Sequence, residues 1–165
     1  MNDDNVSKFL SSFDRHVEDL KGLHLDLSNT EVSSKVIKKT VKTVKSCDNL
    51  ISLGLDLGNC SKLSEQCYSI LIDQLSLKSN KFVSLALGFH NSKVISSIQI
   101  DKISSLLLKH KSSLKMLRLN YSNTNITSEN LITLISIIDE LELDHLELFL
   151  GGNTCVTNAI VDSLI

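Results

Sequence analysis

The chain has 165 residues, enough for one domain with a buried core. Hydrophobic residues make up 42% and charged residues 22%, a balance typical of a folded protein rather than a disordered one. The formal net charge of −2 argues against a general nucleic-acid binder, and no apolar run approaches the roughly 18 residues that span a bilayer.

The N-terminus and the cysteines predict a cytoplasmic protein. The first five residues are polar and acidic, unlike a secretory signal, so no signal peptide or transmembrane segment is predicted. Cys47, Cys60, Cys67 and Cys155 form neither a CxxC pair nor a Cys/His cluster with zinc spacing. We expect reduced thiols that pack as small apolar residues, with two disulfides or a catalytic cysteine as the alternatives. No cofactor and no metal site is predicted.

Apolar residues at helical spacing predict an amphipathic helix before the first strand, within residues 1–19, that caps the N-terminal end of the core. Its apolar residues are Val6, Phe9, Leu10, Phe13 and Val17. The same periodicity predicts later helices over 33–46, 63–77, 95–109 and 128–141, the last with Ser128 as its N-cap. Residues 157–165 predict the start of another helix. This helix either closes the stack or leads into a longer array of which the chain is a piece.

Five segments between these helices share one pattern, L-x-x-L-x-L-x-φ-x-N, in which φ is Leu, Phe or Tyr. Successive copies begin about 30 residues apart, and the fifth carries one extra glycine before its asparagine. The copies begin at Leu20, Leu50, Phe82, Leu114 and Leu143. Each predicts a strand whose alternate leucines point to one side, and stacked units would join these sides into one core of parallel strands covered by helices.

The asparagine that ends each copy is expected where the strand turns inward. There its amide could satisfy backbone groups that the turn would otherwise leave buried and unpaired. These asparagines are Asn29, Asn59, Asn91, Asn123 and Asn153.

The repeated pattern resembles the leucine-rich repeat family, in particular its long, ribonuclease-inhibitor-like repeats. The resemblance implies an α/β leucine-rich-repeat solenoid, a horseshoe with a parallel concave sheet and convex helices. It covers residues 20–165 as one domain of about five repeats, after the capping helix of residues 1–19. One departure is that the family reaches its asparagine three residues after the L-x-L, whereas here the asparagine comes four residues after it, following an extra apolar residue. That difference implies a longer strand or a small bulge before the turn.

The residues between the leucines would form the concave face, which carries five of the six glycines. In the family this face is the usual recognition surface, so its polar and aromatic residues are candidates for binding a partner. Arg118, His145 and Phe149 are the expected anchors, because Arg and aromatic residues often dominate interface energy. The full candidate set is His24, Asp26, Asp56, His90, Arg118, Asn120, His145, Glu147 and Phe149.

Several of these features have a structural alternative. The glycines either admit a partner segment closely or relieve crowding in a curved sheet, and Phe149 either binds a partner or packs against a further repeat. His24, His90 and His145 fall on separate strands, so neither a metal site nor a Ser/His/Asp catalytic site is expected. The lysines of the helix at 33–46 either form a solvated convex face or contact anionic lipid or phosphate. They are Lys35, Lys38, Lys39, Lys42 and Lys45.

The predicted function is a non-catalytic protein-binding module that grips a protein partner, which it would inhibit or mask if the partner is an enzyme. The composition, rich in Lys, Asn, Ser and Ile and without proline, resembles that of leucine-rich-repeat effectors delivered into host cells by bacteria such as Legionella. A host protein or another effector would then be the partner. One alternative is the substrate-recognition part of a larger enzyme such as a ubiquitin ligase, and another is a phosphoinositide reader that uses the lysine-rich helix.

Overall fold

The computed structural model describes residues 3–12, 17–78 and 81–157. Within these residues, five strands form one sheet whose spatial order follows the chain, β1-β2-β3-β4-β5. All four neighbouring pairs are parallel, which confirms the predicted strand direction. The strands are β1 (Gly22–Asp26), β2 (Ser52–Asp56), β3 (Ser84–Gly88), β4 (Met116–Asn120) and β5 (His145–Phe149).

Helices alternate with the strands, so the fold is α/β, and a short 3-10 helix (Val17–Asp19) precedes β1. Each helix packs against the next along the chain. The helices are α1 (Asp3–Ser12), α2 (Ser34–Ser46), α3 (Glu65–Ser76), α4 (Ser97–His110) and α5 (Ser128–Asp139). The predicted helix at residues 157–165 lies almost wholly outside the described residues, as does Phe13.

The strands pair without offset, so equivalent residues of the repeated pattern form columns across the sheet. One such column is buried between the sheet and the helices, where leucine side chains stack in register. It consists of Leu23, Leu53, Leu85, Leu117 and Leu146. Leu117 is 1% exposed whereas Leu146 of β5 is 39% exposed, so the core is less covered at its C-terminal end.

The N-terminal end of the core is covered by α1, whose Val6 and Leu10 are buried. Two contacts tie α1 to the start of α2: the backbone N–H of Ser33 donates to Asp3 over 2.8 Å, and Lys35 pairs with Asp4 at 3.1 Å. This arrangement agrees with the capping role expected of the first helix.

Side chains cap the N-termini of α2 and α5. Ser33 accepts a hydrogen bond from the backbone of Lys35 at the start of α2. At α5 the N-cap is Thr127, whose hydroxyl accepts from the backbone N–H of Asn130 over 3.2 Å. The prediction of Ser128 as N-cap was therefore wrong by one residue, because two adjacent residues both carry a suitable hydroxyl.

The asparagines at the strand ends have a conformational role rather than the predicted one. Asn29, Asn59, Asn91 and Asn123 adopt φ between 53° and 57° and are exposed to solvent. Asparagine tolerates this left-handed conformation better than most residues. The expectation that these four amides satisfy buried backbone groups was therefore wrong.

The following residue turns inward and takes that task. The hydroxyl of Thr30 donates to the carbonyl of Leu27, the last inward-facing residue of the same unit, over 2.6 Å. The thiol of Cys60, in the next unit, donates to the same carbonyl over 3.1 Å. Thr124 donates likewise to Tyr121 over 2.8 Å. The inward-facing polar residue thus comes three residues after the last inward strand residue.

The fifth unit shows the same alignment through its extra glycine. Gly152 adopts φ 73° and holds the place of Asn123, while Asn153 is buried in the place of Thr124. The Asn153 amide donates to the carbonyls of Tyr121 and Leu150 over 2.7 and 2.8 Å, and it accepts from the backbone of Thr124 over 2.9 Å. Asn153 therefore performs the buried role that was predicted for all five asparagines.

The longer spacing implied either a longer strand or a small bulge, and the described strands contain no bulge. Ladder hydrogen bonds continue past the strand ends, from the N–H of Leu27 to Asp56 over 2.8 Å and from the N–H of Asn29 to Gly58 over 2.9 Å. The repeat has one more residue between the L-x-L and the asparagine than the family pattern has. It is accommodated because the chain turns inward at the residue after the asparagine.

Lysine side chains connect neighbouring helices at their C-terminal ends. Lys78 is buried, with 6% of the residue exposed. Its ammonium group donates to the carbonyls of Val44 and Cys47 at the end of α2, over 3.3 and 2.6 Å. Lys109 donates in the same way to Ser76 at the end of α3. The carbonyls of Val44 and Cys47 also accept the backbone N–H groups of Cys47 and Leu50, over 3.3 and 3.2 Å, so the lysine of the next unit adds a charged donor at the end of the helix.

Candidate binding face

The polar face is the side of the sheet opposite the helices, where the residues between the leucines lie. Its residues form four columns across the sheet. Three columns consist of alternate residues of the strands, and the fourth consists of the residue two positions beyond the end of each strand. The two central columns are His24, Gly54, Ala86, Arg118 and Glu147, and Asp26, Asp56, Gly88, Asn120 and Phe149. The register thus brings all nine predicted site residues onto one surface.

Three glycines on the polar face make room for side chains of the chain itself. A Cβ atom at Gly54 would overlap the ring of His24, and one at Gly58 would overlap the ring of His90. A Cβ atom at Gly88 would overlap the carboxylate of Asp56. The relief of crowding therefore explains these glycines, and the expected close approach of a partner backbone does not.

Asp26 and Asp56 hold equivalent positions at the ends of β1 and β2. In each, Oδ1 accepts the backbone N–H two residues on, from Ser28 and from Gly58 respectively, both over 2.9 Å. The hydroxyl of Ser28 also donates to Asp26, and this hydrogen bond lowers the pKa of the Asp26 carboxyl below its usual value. These bonds fix both carboxylates on the polar face.

His90 lies beside this pair of carboxylates. Its Nδ1 is 3.4 Å from Oδ1 of Asp56 and 3.5 Å from the side-chain nitrogen of Asn120. His24, on β1, has its Nε2 3.0 Å from the hydroxyl of Ser52. Ser52 was not among the predicted site residues, and the cross-strand register is the signal that could have identified it.

A depression of about 300 Å³ lies at the centre of the polar face. It is lined by the small residues Gly54, Ala86 and Gly88 and by the carboxylates of Asp26 and Asp56. His24, Arg118 and Asn120 complete the polar lining. Small residues in the middle strands, flanked by longer side chains on the outer ones, produce this shape.

A second group of side chains occupies β4 and β5. Arg118 is 3.3 Å from Glu147 and has its guanidinium carbon 5.0 Å from the centre of the Phe149 ring, a cation–π geometry. His145 contacts the other oxygen of Glu147 at 2.9 Å. The hydrogen bond with His145, followed by the charge of Arg118, lowers the pKa of the Glu147 carboxyl.

These contacts hold an exposed aromatic ring in a defined position. Phe149 is 40% exposed although it lies against Arg118. Met116 is also largely exposed and lies next to His145 in the sheet register. Met116 belongs with the predicted anchors but was missed, because a single methionine on a strand gives no separate signal in the sequence.

The lysine-rich helix α2 lies on the opposite side of the sheet from the polar face. Lys35, Lys38, Lys42 and Lys45 are exposed there, while Val36, Ile37, Val41 and Val44 pack into the core. The separation of charged and apolar residues explains the amphipathic pattern without reference to a ligand.

Among the described residues, no group of three or more His, Cys, Asp or Glu side chains could hold a metal ion. No helix in the described part of the chain has the length and apolarity needed to cross a membrane. The cysteines within that part are unpaired thiols, and burial raises the pKa of Cys47, Cys60 and Cys155. The chain matches no protein-family model, and no curated protein is significantly similar to it.

Proposed function

We propose that the chain is a leucine-rich-repeat protein that binds a protein partner on its polar face. The assignment to this family is supported by the parallel, in-register strands and by their alternation with helices. It is also supported by the inward-turned polar residue that follows the last inward strand residue by three positions, as the part-buried Thr30 follows Leu27. That interval equals the one in the family pattern and removes the departure noted in the sequence.

The observation that carries the binding proposal is the exposed Phe149 ring held by Arg118. A large apolar ring fixed at a solvent-facing position loses little conformational entropy on binding, and a cation beside it adds directional contacts. Such Arg and aromatic residues are typical of the positions that dominate interface energy. The surrounding face is broad and polar, as the rim of an interface usually is.

The test is recovery of a partner by the purified protein and two variants. Arg118→Glu/Phe149→Asp places charges at the proposed anchors. The control Lys38→Glu/Ile132→Asp makes the same change in charge at exposed positions of α2 and α5, on the helix side. We expect a partner bound by the wild type and by the control, and lost from the anchor variant. Equal recovery by all three proteins would contradict the use of this face.

If the recovered partner is an enzyme, we propose that binding covers its active site. The wild type and the helix-side control should then reduce the partner's activity, while Arg118→Glu/Phe149→Asp should not. Delivery as a bacterial effector and attachment to a catalytic domain such as a ubiquitin ligase stay predictions from the sequence.

A further inference from the structure

We infer that the part of the polar face over β2 and β3 takes a basic segment of the partner, with an arginine side chain seated in the depression over Ala86. This inference rests on the proposed function and specifies the chemistry of the partner.

The charge of the polar face differs from that of the rest of the chain. Its charged residues are Asp26, Asp56, Glu147 and Arg118, and none of the chain's many lysines lies on it. Arg118, its one permanent cation, is already paired with Glu147 and stacked on Phe149. The two aspartates therefore leave the centre of the face negative, which favours a basic partner.

The carboxylates present free acceptors to that partner. In both Asp26 and Asp56 the backbone of the following turn bonds Oδ1, and His90 also approaches Oδ1 of Asp56. Within the described residues, Oδ2 of each carboxylate has no hydrogen-bond partner. The two residues are direct neighbours on adjacent strands, so one ligand can face both carboxylates.

A guanidinium group fits this arrangement better than an ammonium group. It is planar and carries five N–H donors in a fixed fork, so it can reach two carboxylates while it lies over the small side chain of Ala86. The His24 ring covers Gly54 and the Asp56 carboxylate covers Gly88, and the depression of about 300 Å³ that they line can admit an arginine side chain. A compact ammonium would bond one carboxylate at a time.

The experiment is a titration of the labelled full-length protein with N-acetyl-arginine amide, followed by the backbone amide signals in nuclear magnetic resonance. N-acetyl-citrulline amide, which is uncharged and of the same shape, and N-acetyl-lysine amide are the matched ligands. We expect saturable shifts of the Gly54 and Gly88 signals, with a dissociation constant of about 1–10 mM. Gly22 and Gly152, outside the depression, should not shift.

Two variants test the residues involved. Asp26→Asn/Asp56→Asn keeps the turn hydrogen bonds but removes both charges, and it should weaken binding at least about tenfold. Asp101→Asn/Glu129→Gln, on the helix side, makes the same charge change and should bind as the wild type does. Ala86→Lys should abolish binding because it places a cation in the depression, and it keeps the test decisive if the double aspartate variant does not fold.

Equal shifts with citrulline or with lysine, unchanged binding by the aspartate variant, or no shift at about 20 mM arginine ligand would each overturn the inference. A protein that fails this titration but still loses its partner through Arg118→Glu/Phe149→Asp would retain the proposed function. If instead the partner is recovered equally well after every substitution on the polar face, the proposed function itself is contradicted.

Discussion

The ring of His90 lies directly over Gly58, so that a Cβ atom added at residue 58 would overlap it. The same ring approaches Asp56, and Gly58 donates its backbone N–H to that carboxylate. Glycine at position 58 therefore determines where His90 lies and how the polar face is arranged between β2 and β4.

Gly58→Ala should destabilise the protein by about 1 kcal/mol, because the His90 ring must leave its position and Asp56 loses that neighbour. Gly22→Ala is the control, since a Cβ there would be 3.7 Å from Ser52 and fits. That control should be neutral or slightly stabilising. Urea unfolding measures both variants, and adding His90→Ala to Gly58→Ala should recover most of the loss. A Gly58→Ala protein as stable as Gly22→Ala would contradict the close packing.

Asn153→Ala should cost about 2–3 kcal/mol of unfolding free energy. The buried amide bonds the carbonyls of Tyr121 and Leu150 and the backbone of Thr124, and alanine would leave these groups unpaired. The control is Asn91→Gly, at the asparagine that the repeat pattern aligns with Asn153 in an earlier unit. Residue 91 is exposed, and glycine accepts its positive φ. Chemical denaturation should give a loss several times larger for the first variant, and equal losses would rule out the different roles assigned to the two asparagines.

The stability of the fold should fall as the pH decreases from about 6.5 to about 4, through His110. This residue is fully buried, its Nδ1 accepts the backbone N–H of Phe82 over 3.2 Å, and burial lowers its pKa to about 4. At pH values between about 4 and about 6.5, His110 is protonated in the unfolded chain and neutral in the folded one, so protons favour unfolding. The contribution is therefore complete above pH 6.5 and is lost toward pH 4, at most about 3 kcal/mol.

His110→Gln isolates this effect from the carboxylates, which also titrate in acid. Glutamine can still accept the Phe82 N–H but does not gain or lose a proton in this pH range. The difference in unfolding free energy between wild type and variant should narrow by about 3 kcal/mol from pH 7 to pH 4. A difference that stays constant over this range would contradict a neutral buried His110.

Lys78→Met should destabilise the protein by about 2 kcal/mol, because the carbonyls of Val44 and Cys47 would lose their charged donor. Burial lowers the pKa of Lys78, so part of the loss is offset by removing a partly desolvated charge. Lys42→Met, at an exposed position of α2, is the control and should change stability by less than about 0.5 kcal/mol. Thermal unfolding that ranks the two variants equally would argue against the lysine contact.

The fold could be predicted from the sequence further than the site could. The alternation of Leu23, Leu25 and Leu27, repeated five times, was sufficient for the parallel strands and for the side that faces the core. The position of Asn153 could not be predicted by matching letters, because the extra Gly152 takes the left-handed conformation and moves the asparagine inward. Only the backbone dihedral angles distinguish these two environments.

Side-chain relationships on the polar face depended on geometry that the repeat does not encode. The nine candidate residues follow from strand alternation alone, but the pairing of Arg118 with both Glu147 and Phe149 depends on the register between β4 and β5. The glycines were ambiguous for the same reason, since the sequence does not reveal that His24 leans over the following unit and His90 over the preceding one.

The lysine contacts between helices also bear on how the fold comes apart. Lys78 belongs to the third unit but completes the hydrogen bonding of α2, and Lys109 does the same for α3 from one unit further on. If one unit frays, the carbonyls at the helix end of its neighbour lose their charged donor. Fraying of one unit therefore costs hydrogen bonds in its neighbour, so we expect thermal unfolding in a single cooperative transition and not unit by unit.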